Sequence, residues 1–294
     1  MRHLTRVSIV GLVAWGCVVS MLGSPAAEEQ LGTVHFPVSC SPAAQAQFDR
    51  AMALLHSFFY PETVKAFTAI TETEPGCAMA YWGLAMSIRQ NPLIPVNAAG
   101  LKPGREALEK AKAANAPTPR ERDWIAALDT YYRDLDTVDH QTRVLAYEKA
   151  MEQLSLRHPD DREATIFYAL ALNEATELSD KTYARQLKAG ALLERVFAQQ
   201  PNHPGVAHYI IHSYDYEPLA ARALPAARHY AAVAPSAPHA LHMPSHIFSM
   251  LGLWPDVITS NAAAEAASKA YAAKHLPGQT IWLHGQDFRI HAHL

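Results

Sequence analysis

From residue 48 onward, apolar and small side chains recur at three- and four-residue steps, interrupted by short polar or proline-bearing breaks. Steps of three and four place such side chains on one face of an α-helix. The period predicts paired helices over 48–55 and 63–71, 80–85 and 105–114, and 121–132 and 143–156. It continues over 163–175 and 183–199, 206–214 and 220–234, and from 239 through 256–273. Alanine is abundant in all of them, which favours helix and close helix contact. No stretch alternates apolar and polar residues as a half-buried strand does, so the expected fold class is all-α. Phe58-Phe59-Tyr60 and Tyr81-Trp82 are expected at packing faces, and Arg120-Glu121-Arg122-Asp123 as a solvated first turn.

Prolines at 75, 117, 159, 201 and 235 are spaced by 42, 42, 42 and 34 residues. Proline cannot continue a helix and biases the residue before it away from helical geometry. A ladder of this period therefore marks the end of every second helix in a repeated helix pair. The residue pattern Tyr81, Leu84, Ala85 and Ile88, and again Thr165, Tyr168, Ala169 and Leu172 with Ala189, Leu193, Val196 and Pro201, resembles the tetratricopeptide (TPR) repeat family. The strings His208-Tyr209-Ile210-Ile211-His212-Ser213-Tyr214-Asp215 and Pro238-His239-Ala240-Leu241-His242-Met243-Pro244-Ser245-His246-Ile247-Phe248 are similar to those of a group of exported bacterial TPR proteins. The resemblance implies a right-handed α-solenoid of TPR-like helix–turn–helix repeats over 42–279 and implies no particular activity. Residues 28–41 form a lead-in. Residues 280–294 open a further helical unit, and truncation is the expected reason that it has no partner helix.

His208 and His212 are four residues apart, as are His242 and His246, and the second pair follows the first by 34 residues. Residues i and i+4 share a helix face, and 34 residues is the TPR period. With Pro201 at position 32 of its repeat, the register puts both pairs at positions 5 and 9, which in the family face the concave groove. His239 and Asp215 fall on the same face, and Glu163, Asn173 and Glu174 line the groove further along. The candidate binding groove is thus His208, His212, Asp215, His239, His242 and His246. Neutral imidazole is a good ligand for zinc, copper or iron, so His208, His212, His242 and His246 are candidate metal ligands. Pro244 removes a helix hydrogen bond inside the second pair and is expected to kink that helix. Eleven of the sixteen histidines lie from His203 onward. A hydrogen-bonded network with Tyr209, Tyr214 and Tyr216 is the alternative that needs no metal.

Composition narrows the function classes. The formal net charge of −3 on 294 residues offers no basic stripe for nucleic acid. Arg2 and Arg6 flank an apolar run over 7–22, followed by Gly23-Ser24-Pro25-Ala26-Ala27 and Glu28-Glu29, which matches a secretory leader over 1–27. The run is shorter than the roughly 20 residues a membrane span needs, and no later segment is apolar enough. A lipid anchor on Cys17 is the weaker alternative, because Ala14-Trp15-Gly16 is a poor lead-in. The expected location is the periplasm or the exterior, where disulfides persist. Cys40 precedes the first helical hairpin and Cys77 follows it, so the two can be bridged; the alternative is two free buried thiols. Neither pair of histidines encloses the glutamate of a His-Glu-x-x-His protease motif, and no Gly-x-Ser-x-Gly elbow occurs. The expected role is a scaffold for a protein or peptide partner, with a metal-binding protein or metalloenzyme as the alternative.

Overall fold

The computed structural model describes residues 29–177, 179–275 and 283–293, and none of them is in a strand. The expected leader, residues 1–27, lies outside the described residues. The helices are α1 (Pro42–His56), α2 (Tyr60–Thr73), α3 (Ala78–Arg89), α4 (Ala98–Ala113), α5 (Pro119–Tyr132), α6 (His140–Arg157) and α7 (Arg162–Glu174). They continue as α8 (Ala184–Phe197), α9 (Pro204–Tyr214), α10 (Ala220–Val233), α11 (Pro238–His242), α12 (Pro244–Met250), α13 (Trp254–His275) and α14 (Leu283–His293). None is long and apolar enough to cross a membrane. Each ladder proline follows closely on the end of an even-numbered helix: Pro75 after α2, Pro117 after α4, Pro159 after α6, Pro201 after α8 and Pro235 after α10.

Helix starts follow from local chemistry. Ser41, Asn97, Thr118, Asp139 and Asp161 each accept a backbone N–H of the first turn through a side-chain oxygen, which satisfies a donor that the helix itself cannot. Asn97 starts α4 seven residues earlier than the periodicity predicts, and Pro103 lies inside that helix. Thr118 and Glu121 form a reciprocal capping box. Glu121 is only 3 % exposed, which corrects the solvated position expected for it, while Arg122 is exposed. Its Oε1 also accepts the Ser39 N–H at 2.6 Å, tying down the lead-in.

Successive helices pack on one another along the chain, and α1 also packs against α9, far away in sequence. The lead-in closes this arrangement. Phe36 is wholly buried against Phe48, Trp82 and Trp124. The Arg120 guanidinium lies 4.4 Å over the Phe36 ring. Thr33 N–H donates to the Asn202 carbonyl at 2.9 Å, and Ser236 N–H to that of Gln30 at 3.1 Å. Residues 30–41 therefore pack on α1, α3 and α5 through Phe36 and reach the α8–α9 and α10–α11 connections through Thr33 and Gln30. Gly32, at φ +82° with the Asn202 carbonyl 2.7 Å from where a Cβ would sit, permits that close approach.

Cys40 and Cys77 are joined, with Cα atoms 5.4 Å apart and a sequence separation of 37. Closing a loop of that length stabilises by roughly 4 kcal/mol on the chain-entropy model. At the other end α14 packs along α13, with Phe288 against the core.

Candidate metal centre

The i, i+4 spacing on α9 sets His208 and His212 one turn apart, with their Nε2 atoms 3.0 Å from each other. From α11, His239 brings its own Nε2 to 3.2 Å from that of His208. The three ligand atoms all lie within 4.8 Å of one another. His208 is fully buried, while His212 and His239 are half-buried. The second predicted pair meets separately: His242 on α11 and His246 on α12 face each other with Nε2 atoms 3.0 Å apart. The helix breaks between them at Met243, just before Pro244, whose ring nitrogen has no hydrogen to donate. Among the described residues the quartet His208, His212, His242 and His246 thus falls into two close pairs, and His239 joins the first.

The opposite ring nitrogens fix which atoms face inward. His208 Nδ1 lies 2.6 Å from the His56 carbonyl oxygen, which can only accept. Nδ1 therefore carries the hydrogen, and in the neutral ring Nε2 presents a lone pair. His242 Nδ1 lies 2.6 Å from Asn261 Oδ1, and that amide is oriented by its Nδ2 donating to the Val257 carbonyl. His246 Nδ1 donates to Asp215 Oδ2 at 2.9 Å. His242 and His246 then bring two Nε2 atoms to 3.0 Å, an approach that a proton or another cation between them relieves. Supporting a ligand ring through its other nitrogen is how metal sites hold tautomer and orientation.

Electrostatics favour neutral rings at His208 and His212. Burial, then the neighbouring His212 and His239, hold His208 well below its ordinary value. Burial and the nearby His246 bring His212 down to about 4, against the pull of Asp215. Neutral imidazole is the form that ligates. Phe58 covers the cluster: its ring centre is 4.4 Å from that of His208, 5.7 Å from His212 and 5.5 Å from His239. Phe58 has φ +52°, a left-handed conformation that costs a bulky residue energy and persists only when its surroundings impose it.

A second polar group lies behind the first. Glu163 accepts from His203 Nε2 at 2.8 Å and from His56 Nε2 at 3.0 Å, with all three side chains buried. His203 Nδ1 accepts the Val206 N–H, and His56 Nδ1 meets the Tyr209 hydroxyl at 3.0 Å. Burial opposes the charge on Glu163, but the two imidazoles outweigh it and hold the carboxyl far below its ordinary range. Each ring nitrogen here already has a direct partner, so the group reads as a satisfied network that positions the His56 carbonyl under His208. Glu163 and Asn173, expected along a groove, are buried at 5 % and 7 % exposure. Asn173 donates to Ser213 Oγ, and Glu174 pairs with Arg89.

Burial of neutral histidines makes stability pH-dependent. His56, His208 and His212 all have folded values below the ordinary 6.5. Between that value and the folded ones the unfolded chain binds more protons, so stability is greatest above about 6.5 and falls as pH falls. Glu163, depressed in the fold, adds a further loss as pH drops below its ordinary 4.5. Urea unfolding of chelator-treated protein should show a midpoint that drops steadily from pH 7.5 to pH 5. A flat midpoint across that interval would mean the rings are not buried in neutral form.

No family model matches the chain, and neither does any curated protein.

Proposed function

We propose that this chain is an exported metal-binding protein, in which one zinc, copper or iron ion is held by the Nε2 atoms of His208, His212 and His239 on a right-handed solenoid of TPR-like repeats. The observation that carries this reading is the convergence of three Nε2 atoms at 3.0 and 3.2 Å. Two imidazoles on a tetrahedral ion, each about 2.05 Å from it, sit about 3.3 Å apart. The His208–His212 and His208–His239 separations need only tenths of an ångström of adjustment, and all three atoms lie within 4.8 Å of one another. The Nδ1 anchor of His208 and the low proton affinity of His208 and His212 support the same reading. The Cys40–Cys77 bond supports export, since such bonds persist in oxidising compartments.

A scaffold for a protein or peptide partner draws its support from the helix pairs. It has less from the histidines themselves, because His208 and His242 are buried at 0 % and 5 % exposure and Phe58 lies over the trio. Elemental analysis of the mature protein, purified without a histidine tag or added metal, tests the proposal. About one transition-metal ion per chain, removed by chelator and restored on titration, is the expected result. No ion, and none taken up on titration, would leave the scaffold reading in its place.

A further inference from the structure

A cavity of about 280 Å³ abuts the histidine cluster. Phe58, Phe59, Pro238 and Ala264 form its apolar walls, and His239 and His242 reach it from one end. It therefore touches one member of the trio and one member of the neighbouring pair, and Phe58 is shared between the cover of the histidines and the cavity wall. Three protein nitrogens leave a tetrahedral ion one coordination position, the arrangement found where metals take exogenous ligands. A largely apolar pocket with a few convergent polar groups is the usual form of a small-molecule site.

The geometry points to a small-molecule site here, resting on the metal reading above: the cavity takes a neutral nitrogen- or oxygen-donor head bound to the ion, attached to an apolar body about the size of one aromatic ring. A neutral head suits the cavity better than an anionic one. None of its described lining residues is lysine or arginine, and Glu265 contributes a carboxylate to the wall. That carboxylate is already engaged by Lys269 and Arg289, so an incoming anion would meet a paired acid and no cation offered to it. Phe58, held at φ +52°, keeps its ring against both the histidines and the space where the apolar body lies.

The mature chain loaded with cobalt(II), whose visible bands respond to a new ligand, provides the test. Imidazole and 4-phenylimidazole carry the same donor head, and only the second carries a ring to bury. The phenyl compound should bind at least tenfold more tightly, the ratio expected from burying one ring. Ala264→Phe, which fills the cavity, should abolish that advantage. Equal affinities for the two probes, or an advantage that survives in the metal-free chain, overturn the site. Cobalt stoichiometry on the same sample separates the two failures. A loaded chain that ignores the phenyl group overturns the cavity alone, whereas a chain that takes up no cobalt overturns the metal centre and the cavity with it.

Discussion

Glu174→Ala should destabilise the fold by roughly 3–5 kcal/mol, the usual loss when one partner of a buried ion pair is removed, while replacing Arg89 and Glu174 together by leucine should restore most of it. Arg89 ends α3 and Glu174 ends α7, and their side chains are 3 % and 1 % exposed. The guanidinium lies 3.9 Å over the Tyr131 ring and 4.3 Å over that of Tyr147. Burial disfavours both charges and pushes Glu174 up. For Arg89 the same burial is outweighed by Glu174 and the two tyrosines, which hold its guanidinium above the ordinary value. Arginine does not shed its proton, so alanine at 174 leaves a cation in a dry interior with aromatic faces as its remaining neighbours. Typical domains are stable by only 5–15 kcal/mol, and the single variant should therefore unfold at markedly lower urea. A double-mutant cycle in urea separates the coupling from the cost of each truncation. A Glu174→Ala midpoint within 1 kcal/mol of the parent would show that water reaches the pair.

That pair illustrates what the sequence could not disclose. Helix positions were legible because three- and four-residue steps encode a buried face, and the proline ladder marked where helices stop. Cys40 and Cys77 could be paired because a hairpin brings its two ends side by side. The histidine pair on α9 was legible because i, i+4 is a purely local relation. Everything created by distant closure was not. His56 meets Tyr209, 153 residues away, and Glu163, 107 residues away, and Arg89 meets Glu174 across 85 residues. No spacing rule spans such separations.

The 34-residue repeat did not by itself put His239 among the candidate ligands, although its Nε2 lies 3.2 Å from that of His208. Matching two pairs at a 34-residue offset made His242 and His246 the natural counterparts of His208 and His212. The break before Pro244 instead splits the second pair between two short helices, and His239, at a different repeat position, reaches His208. Glu121 held a signal that was underused: Thr118-x-x-Glu121 has the capping-box spacing, which commits that glutamate to the backbone rather than to solvent.

The same divergence gives the second large effect: His239→Ala should weaken metal binding by roughly a thousandfold, and His246→Ala by no more than about tenfold. A structural zinc site held by four ligands is worth about 10–16 kcal/mol, so losing one direct ligand removes about 3–4 kcal/mol, or two to three powers of ten. His246 stands outside the trio, so its loss should fall at or below the low end of the 10–100-fold typical of a lost supporting neighbour. His239 is the informative choice because it is half-buried. His208→Ala would also hollow out a fully buried position and confuse lost ligation with lost packing. His229, on α10 and bonded only to Asn202 among the described side chains, serves as the control and should leave affinity unchanged. Thermal unfolding gives an independent readout. An ion present at a hundred times its dissociation constant raises stability by about 2.7 kcal/mol, an increment that should appear in full in the parent, keep at least about 1.4 kcal/mol in His246→Ala and vanish in His239→Ala at the same ion concentration. If His246→Ala loses as much affinity as His239→Ala, the ion is shared across both clusters and the trio is not its seat.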